Sequence, residues 1–291
     1  MKQIVVLSGK GGTGKTSVVA GLASIMPSLV LADCDVDAAD LHLIAQPKIV
    51  DMHDFVSGEL ARIDGNCSGC MTCLEKCRFG AVTDEPRIHE DRCEGCGLCA
   101  FTCPEQAIVM EPRHCGWWYE SHTRFGIMVH AALKPGAENS GRLVTTVRRR
   151  ACELAEAQGC EYVLVDGSPG IGCPVIASLT GADMALLVAE PSASALHDLE
   201  RVRELARHFQ IPCAVLVNKS DLSRERTREI LDFCARCDVP VAGEIPYDPI
   251  FTKAQLASQS AVELAHDTEG PRFGRIWEAM RAVLGRRLAR L

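Results

Sequence analysis

The segment Gly9–Thr16 reads GKGGTGKT and matches the phosphate-loop pattern G-x-x-x-x-G-K-[ST] at every defined position. An apolar run, Ile4–Leu7, precedes it, and apolar residues follow at helical spacing at Val18, Leu22 and Ile25. The motif is meaningful only between a strand and a helix, and the sequence predicts both. The segment therefore indicates a loop that binds the phosphates of a nucleotide. A glycine-rich turn that binds nothing is the weaker alternative.

Each kind of residue in this loop has a chemical role. Gly11, Gly12 and Gly14 let the backbone bend so that its N–H groups converge on phosphate oxygens. Lys15 is expected to reach the β- and γ-phosphates, and Thr16 is expected to bind Mg²⁺. The predicted nucleotide-binding residues of the loop are Gly9, Lys10, Gly11, Gly12, Thr13, Gly14, Lys15, Thr16 and Ser17.

Short continuous apolar runs alternate with amphipathic stretches along most of the chain. Apolar strands separated by helices indicate a parallel sheet that is covered on both faces. We therefore predict an α/β fold with a doubly wound, mostly parallel sheet. Besides Ile4–Leu7, the predicted strands are Leu29–Ala32, Tyr162–Val165, Met184–Val188, Ala214–Val217 and Val241–Ile245.

The composition excludes several classes of protein. The chain has 291 residues, of which 47% are apolar and 24% charged, a balance typical of a globular protein and not of a disordered one. Its net charge of −7 argues against a protein that coats nucleic acid, so no nucleic-acid partner is expected. The first residues lack the features of a signal peptide, and we expect a reducing, cytoplasmic location.

Cysteine is unusually abundant, with 16 residues, and eight of them lie between Cys67 and Cys103. The pattern C-x₂-C-x₂-C-x₃-C occurs there twice, 26 residues apart. In a reducing compartment, clustered cysteines suggest metal ligands before disulfides. We predict a small two-site domain at residues 61–112, inserted between two parts of a larger domain at residues 1–60 and 113–291. The two runs are Cys67, Cys70, Cys73, Cys77 and Cys93, Cys96, Cys99, Cys103.

The doubled cysteine run resembles a bacterial two-cluster ferredoxin. The resemblance implies two 4Fe-4S clusters, in which the last cysteine of each run binds the cluster of the other run. Two Cys₄ zinc sites are the alternative, but zinc modules usually pair separated C-x₂-C knuckles. The first run ends in Cys77-Arg78, where the ferredoxin pattern expects proline. The implied ligands are Cys67, Cys70, Cys73 and Cys103 for one cluster, and Cys93, Cys96, Cys99 and Cys77 for the other.

The second lysine of the loop, Lys10, makes the motif resemble that of the MinD/ParA family of ATPases. The resemblance implies a nucleotide-dependent dimer in which Lys10 reaches the nucleotide of the partner. It also implies that Asp35 orients the attacking water, that Asp33 lies near Mg²⁺ and that Asp166 holds a Mg²⁺-bound water. The catalytic residues are then Lys10, Lys15, Asp35 and Asp166, and the Mg²⁺ ligands, direct or through water, are Thr16, Asp33 and Asp166.

The same resemblance assigns the rest of the nucleotide site. Gly170 is expected to sense the γ-phosphate, although Ser168 stands where the family often has a second proline. Asn218 is expected to contact adenine, with Pro246 and Asp248 beside the base. Taken literally, Asn218–Asp221 (NKSD) is also the guanine-binding motif of GTPases, so GTP is the alternative nucleotide.

The combination of this phosphate loop with the doubled cysteine run resembles MinD-superfamily ATPases that contain an inserted ferredoxin domain. It implies an ATPase that couples nucleotide-driven dimer switching to electron transfer, as a homodimer or with a paralogous ATPase. A factor that assembles or delivers clusters, using cysteines such as Cys173, is a second hypothesis, although buried packing is favoured for Cys173 itself. A positioning ATPase with clusters as a redox sensor is a third.

Two further features allow more than one interpretation. Cys234 and Cys237 form a C-x-x-C on a predicted helix, where packing is favoured over a redox pair. The C-terminal residues have a basic amphipathic pattern, and a helix packed on the sheet is favoured over contact with a membrane surface. The apolar positions of that pattern are Phe273, Ile276, Trp277, Met280, Val283, Leu284, Leu288 and Leu291, and the basic ones are Arg272, Arg275, Arg281, Arg286, Arg287 and Arg290.

Overall fold

The computed structural model describes residues 1–137 and 141–288, with side chains through residue 285. The strands are β1 (Lys2–Ser8), β2 (Leu29–Asp33), β3 (Lys48–Ile63), β4 (Ile108–Thr123), β5 (Gly126–Leu133), β6 (Tyr162–Asp166), β7 (Met184–Ala189), β8 (Cys213–Asn218) and β9 (Val241–Ile245). The helices are α1 (Lys15–Ala23), α2 (Leu41–Ala45), α3 (Thr72–Lys76), α4 (Leu98–Thr102), α5 (Arg142–Ala157), α6 (Cys173–Leu179), α7 (Ala195–His208), α8 (Arg224–Arg236), α9 (Ile250–Leu256), α10 (Ala261–Leu264) and α11 (His266–Leu288).

The strands form one sheet in the order β3-β4-β5-β2-β6-β1-β7-β8-β9. From β5 to β9 every neighbouring pair is parallel. All six predicted strands are present, which confirms the mostly parallel α/β fold. Because β1 lies between β6 and β7, the loop that follows β1 starts at the middle of the parallel part, at the carboxyl ends of its strands.

Three strands were not predicted. β5 is parallel to β2, with Val30 paired to Ile127. β3 and β4 are each 16 residues long, and most side chains of β3 are exposed. Because solvent-facing strands carry little hydrophobic pattern, the sequence contains no strong signal for β3.

The chain divides into two compact units. The first contains Met1–Met52, Trp118–Ala132 and the C-terminal half of the chain. The second contains His53–Trp117 and a short stretch that starts at Leu133. The second unit therefore contains both cysteine runs, while the narrower limits at residues 61–112 stay a prediction.

The C-terminal helix α11 packs into the core of the first unit. Its residues Phe273, Ile276, Trp277, Met280, Val283 and Leu284 are buried together with apolar residues of the sheet and of α1. Trp277 also meets Tyr162 edge to face, with ring centroids 5.0 Å apart. The packed-helix interpretation holds for these six residues.

The remaining positions of the tail pattern cannot be placed in the same way. The side chains of Arg286, Arg287 and Leu288, and the whole of Arg290 and Leu291, lie outside the described residues. Within the described part of the chain, no helix combines the length and the apolar character needed to cross a bilayer.

The contact between α1 and α11 yields a stability prediction. A Cβ added at Gly21 would overlap the ring of Phe273, which is fully buried. We expect Gly21→Ala to lower the free energy of unfolding by about 1–3 kcal/mol, because a close-packed core cannot absorb the extra methyl group. Urea unfolding followed by circular dichroism measures the change.

Gly274→Ala is the matched control. Gly274 lies in α11 next to Phe273, but a Cβ there would meet no other atom within 4 Å. We expect this variant to be neutral or more stable by about 0.4–1 kcal/mol, because alanine has less conformational freedom in the unfolded chain. Equal destabilisation by both variants would contradict the packing described.

Candidate functional site

The phosphate loop occupies the turn between β1 and α1. Helix α1 begins at Lys15, and Gly14 before it has a left-handed φ of 87°. A Cβ at Gly14 would overlap the side-chain amide of Asn218, and a Cβ at Gly9 would overlap Asp198 of α7. Glycine is thus required at Gly14 for its conformation and at both positions for close approach, so local geometry fixes the loop before any ligand binds.

Lys15 is the electrostatic centre of the loop. Its ammonium group is buried, donates to the carboxylate of Asp166 and lies 3.2 Å from a carboxylate oxygen of Asp35. Burial alone would lower the pKa of Lys15, but the charges of Asp166 and Asp35 outweigh burial and raise it. Lys15 is therefore a fully charged lysine held at the ends of β2 and β6.

Asp33 lies beside Lys15 and Asp166, and one of its carboxylate oxygens lacks a hydrogen-bond partner. It ends β2 directly opposite Asp166 of β6. Burial and the neighbouring charge of Asp166 raise the pKa of Asp33 well above its usual range. Among the described residues, one oxygen of Asp33, one of Asp166 and the hydroxyl of Thr13 are buried and have no hydrogen-bond partner.

These orphaned oxygens fit a divalent cation. Three carboxylates of Asp33, Asp35 and Asp166 face the single ammonium group of Lys15, so negative charge is in excess. Mg²⁺ prefers carboxylate and hydroxyl oxygens and keeps several water ligands. Asp33 and Asp166 could accept hydrogen bonds from such waters. Thr16 is half-buried in the first turn of α1, but its contact with Mg²⁺ stays a prediction.

Lys10 binds two side chains of its own chain. Its ammonium group donates to the hydroxyl of Ser192 at 2.7 Å and lies 2.8 Å from the carboxylate of Glu190. The other oxygen of Glu190 accepts from Lys219 at 2.8 Å, and Lys219 also donates to the carbonyl of Gly12 at 2.9 Å. Burial would raise the pKa of Glu190, but the two lysines outweigh it and lower the pKa.

Sequence reasoning missed the functional placement of Glu190 and Lys219. A usable signal existed, since Glu190 directly follows β7 and Lys219 directly follows β8. The carboxyl ends of parallel strands meet at one edge of the sheet, so these positions alone indicate that both residues lie at the edge where the phosphate loop starts.

The residues expected near the base have structural partners. The side-chain amide of Asn218 donates to the carbonyl of Thr13 at 2.7 Å. Asp248 accepts from the backbone N–H of Ile250 at 2.9 Å, at the start of α9. Pro246 lies between β9 and α9. Contact of Asn218, Pro246 and Asp248 with a base stays a prediction.

The neighbouring loops are also held by the chain itself. Asp221, which would contact guanine in the GTP alternative, accepts from the N–H of Tyr247 at 2.6 Å. The N–H of Gly170 donates to the carbonyl of Ser8 at 2.9 Å, which ties the proposed γ-phosphate sensor to the end of β1. Ser168, which replaces the second proline, donates to the carbonyl of Cys34 at 2.8 Å.

The eight clustered cysteines line two separate cavities in the second unit. Each cavity receives three cysteines from one run and the last cysteine of the other run. The first is lined by Cys67, Cys70, Cys73 and Cys103, and the second by Cys77, Cys93, Cys96 and Cys99.

The two runs also repeat their backbone and their hydrogen bonds. The sulfur of Cys77 accepts from the N–H of Ala81 at 3.4 Å, and the sulfur of Cys103 accepts from the N–H of Ala107 at 3.4 Å. Hydrogen bonds to sulfur are one means by which proteins tune iron–sulfur clusters. Four thiols around each cavity, with N–H donors aimed at the sulfurs, fit the demands of a 4Fe-4S cluster.

The scattered cysteines range from buried through half-buried to exposed. Burial raises the pKa of Cys234 to about 11 and that of Cys213 to about 11, which favours inert packing because a reactive cysteine must be a thiolate. Cys237 follows the last turn of α8. Cys173 is exposed at the first residue of α6, so the buried packing expected for it is wrong.

Comparisons with known proteins identify a family for this chain and find solved structures with the same fold. A family model described as the CobQ/CobB/MinD/ParA nucleotide binding domain matches residues 4–261. MJ0578, an uncharacterized protein from Methanocaldococcus jannaschii, is 34% identical over 224 residues, which make up 76% of this chain and 79% of that protein.

Two solved structures share the architecture. The cell division ATPase MinD of Pyrococcus furiosus is 19% identical, with a TM-score of 0.59 over 97% of this chain and 98% of that one. The septum site-determining protein MinD of Pyrococcus horikoshii OT3, solved with Mg-ADP, is also 19% identical, with a TM-score of 0.59 over 94% of this chain and 93% of that one. At these identities the two structures show the fold alone.

The raised pKa of Asp33 leads to a pH-dependent prediction. Because the folded state binds the Asp33 proton more tightly than the unfolded state, stability is lost as the pH rises from the ordinary aspartate value of about 3.9 towards the raised pKa. In metal-free protein we therefore expect Asp33→Asn to raise the melting temperature at pH 7, and to raise it less at pH 4. The same variant should lose the stabilisation that Mg²⁺ with nucleotide gives the unaltered protein.

Asp37→Asn is the control for this measurement, since Asp37 is an exposed carboxylate a few residues away. We expect it to leave the melting temperature and its response to Mg²⁺ nearly unchanged. A lower melting temperature for Asp33→Asn at pH 7 would contradict the electrostatic account.

Proposed function

The chain belongs to the CobQ/CobB/MinD/ParA family of nucleotide-binding domains, and from this we propose a Mg²⁺-dependent ATPase that carries two 4Fe-4S clusters and couples its nucleotide state to electron transfer. The observation that carries the proposal is the presence, in one chain, of a preformed phosphate loop and of two cavities with four cysteines each. The first supports nucleotide hydrolysis, and the second supports one-electron chemistry.

The nucleotide half of the proposal assigns roles to residues around the loop. Backbone N–H groups of Gly11–Thr16 would bind the phosphates, and the N-terminus of α1 adds partial positive charge. Lys15 would exchange its contact with Asp35 for a phosphate oxygen. Asp35 would then be free to accept a hydrogen bond from the attacking water. Asp33 and Asp166, with their unpaired oxygens, would hold the waters of Mg²⁺.

The dimer is proposed from Lys10. In the single chain Lys10 is neutralised by Glu190 and bound by Ser192. To contact a nucleotide in a partner subunit, Lys10 would have to leave these two residues, so its release is the step by which nucleotide could promote pairing. The partner would be a second copy or a paralogous ATPase.

The cluster half of the proposal rests on the division of the cysteines. Each cluster, when bound, supplies the transfer of single electrons at a potential that depends on its surroundings. The cysteines hold it as thiolates, and the N–H groups of Ala81 and Ala107 stabilise the charge on the sulfurs of Cys77 and Cys103. The redox partner would be a separate protein.

Delivery of a cluster to another protein is a second candidate function. It is favoured by Cys173, which is exposed at the start of α6, three residues after the proposed γ-phosphate sensor Gly170. A labile cluster held there by two subunits would respond to nucleotide. The two functions separate when anaerobically purified protein is mixed with a cluster-free acceptor. Retention of all iron supports electron transfer, and loss of a part supports delivery.

The direct test of coupling is the ATPase rate of one preparation with its clusters oxidised and then reduced. We expect the rate to differ between the two states, because a coupled switch must change nucleotide turnover when the cluster charge changes. Lys15→Met should abolish the activity and serves as the blank. Equal rates in the two states would contradict the coupling.

The clusters themselves can be tested by iron analysis. We expect about eight irons per chain after anaerobic purification, as two four-iron clusters require. Cys70→Ser should lower this number and change the electron paramagnetic resonance spectrum of one cluster only, because it removes a ligand from the first cavity. Cys160→Ser, outside both runs, should have no effect. Two zinc ions per chain in place of iron would contradict the proposal.

A further inference from the structure

The two cysteine cavities have equivalent ligands but different rims. The 26-residue repeat pairs Leu98 with Thr72 and Phe79 with Glu105. Leu98 and Phe79 line the second cavity, whereas Thr72 and Glu105 occupy the corresponding places around the first. The repeat has therefore kept its cysteines, while these two positions are polar at the first cavity and apolar at the second.

The apolar rim of the second cavity is exposed to solvent. Phe79 is 48% exposed and Leu98 is 41% exposed. Phe101 lies one helical turn after Leu98 on α4 and is 89% exposed. We call Phe79, Leu98 and Phe101 the apolar rim. In the first repeat, the position of Phe101 is occupied by Glu75, an exposed carboxylate on α3.

Packing does not account for the apolar rim. A phenylalanine that is 89% exposed contributes almost nothing to the core, and the core of this unit is formed by other residues, among them Ala61, Val82 and Ile108. Exposed aromatic side chains grouped at one place are typical of surfaces that bind another protein.

The charges around the two cavities also differ. Lys76 lines the second cavity, and Arg78 is exposed directly after its ligand Cys77. The repeat places Thr102 and Pro104 at the corresponding positions of the other site. Glu94 also lines the second cavity, so one cation and one anion line it, and the exposed Arg78 adds a second cation directly after Cys77. The first cavity has Glu105 on its rim and no lysine or arginine among its lining residues.

We propose that the cluster held by Cys77, Cys93, Cys96 and Cys99 is the one that exchanges electrons with a separate protein, an acidic one-electron carrier that docks on the apolar rim. This inference rests on the proposed function, because it requires that both clusters are present. The apolar rim supplies the contact area, and Lys76 and Arg78 attract acidic residues of the carrier. The same carrier is repelled at the first cavity by Glu105, which lies on its rim.

The electron balance of the step is simple. One electron leaves the reduced carrier, which is oxidised by one electron, and enters the cluster of the second cavity, which is reduced by one electron. No covalent bond forms or breaks, and no proton is needed. The reverse transfer has the same balance with the roles exchanged.

The test measures electron transfer from a reduced acidic ferredoxin, used as the probe, to the full-length protein with both clusters assembled. Anaerobic stopped-flow absorbance gives the second-order rate constant. Phe101→Glu introduces the residue type that its repeat counterpart has. We expect this variant to lower the rate constant by roughly tenfold or more, because it removes apolar contact and adds a repulsive charge. Arg78→Ser should lower both the rate constant and its dependence on salt.

Glu75→Ala is the matched control, since it changes the equivalent position of the other repeat. We expect it to leave the rate constant within about twofold of the unaltered protein. Iron content and paramagnetic resonance spectra of all variants should match the unaltered protein, which shows that the clusters are intact. Phe101 and Glu75 are both exposed, so neither change is expected to affect folding.

Two results would overturn the inference. One is an unchanged rate constant for Phe101→Glu in protein with both clusters intact. The other is faster transfer from a basic carrier, such as a reduced cytochrome c, than from the acidic ferredoxin. A protein without iron would instead refute the proposed function, so the two failures can be told apart.

Discussion

The ion pairs between Lys15 and the carboxylates of Asp35 and Asp166 are the interaction on which the nucleotide site depends. Burial of one ammonium group among three carboxylates costs desolvation energy, and one lysine cannot neutralise them all. The raised pKa of Asp33 is the electrostatic sign of that cost. Such a site contributes little to the stability of the folded chain. It would become balanced if Mg²⁺ neutralised the carboxylates and Lys15 were shared with phosphate oxygens.

The fold explains why these groups can be held in so unfavourable an arrangement. Asp33 ends β2, Asp166 ends β6, and the loop starts at the end of β1, so three adjacent strands deliver their polar residues to one point. The central residues of these strands are buried and apolar. A rigid core of this kind can support local strain at a functional edge, as is common in enzymes.

Much of this arrangement was predictable because it is local in sequence. The phosphate loop, the six core strands and the doubled cysteine run are patterns of neighbouring residues. The contact of Lys10 with Glu190 joins residues 180 positions apart, so only the tertiary structure brings them together. The same holds for Asn218 and Thr13. Strand β3 escaped prediction for another reason, since its largely exposed side chains leave little hydrophobic pattern.

In the second unit, the repeat predicts the two sets of cysteines but not how the residues around the two sets differ. The resemblance to a two-cluster ferredoxin implied the exchange of Cys77 and Cys103 between the runs, and the two cavities contain the same two sets of four cysteines. The spacing says nothing of what surrounds them. The different roles proposed for the two clusters come from Phe79 and Glu105, which share a position in the repeat and differ in polarity.

We propose that nucleotide and cluster states influence each other, and thermodynamic linkage requires that influence to be reciprocal. The most direct measurement is a spectroelectrochemical titration of the cluster midpoint potentials with and without Mg²⁺-ATP, using Lys15→Met to exclude effects of unbound nucleotide. The account predicts a shift of at least one midpoint potential when Mg²⁺-ATP binds to the unaltered protein, and none in the variant. Identical potentials with and without bound nucleotide would contradict it.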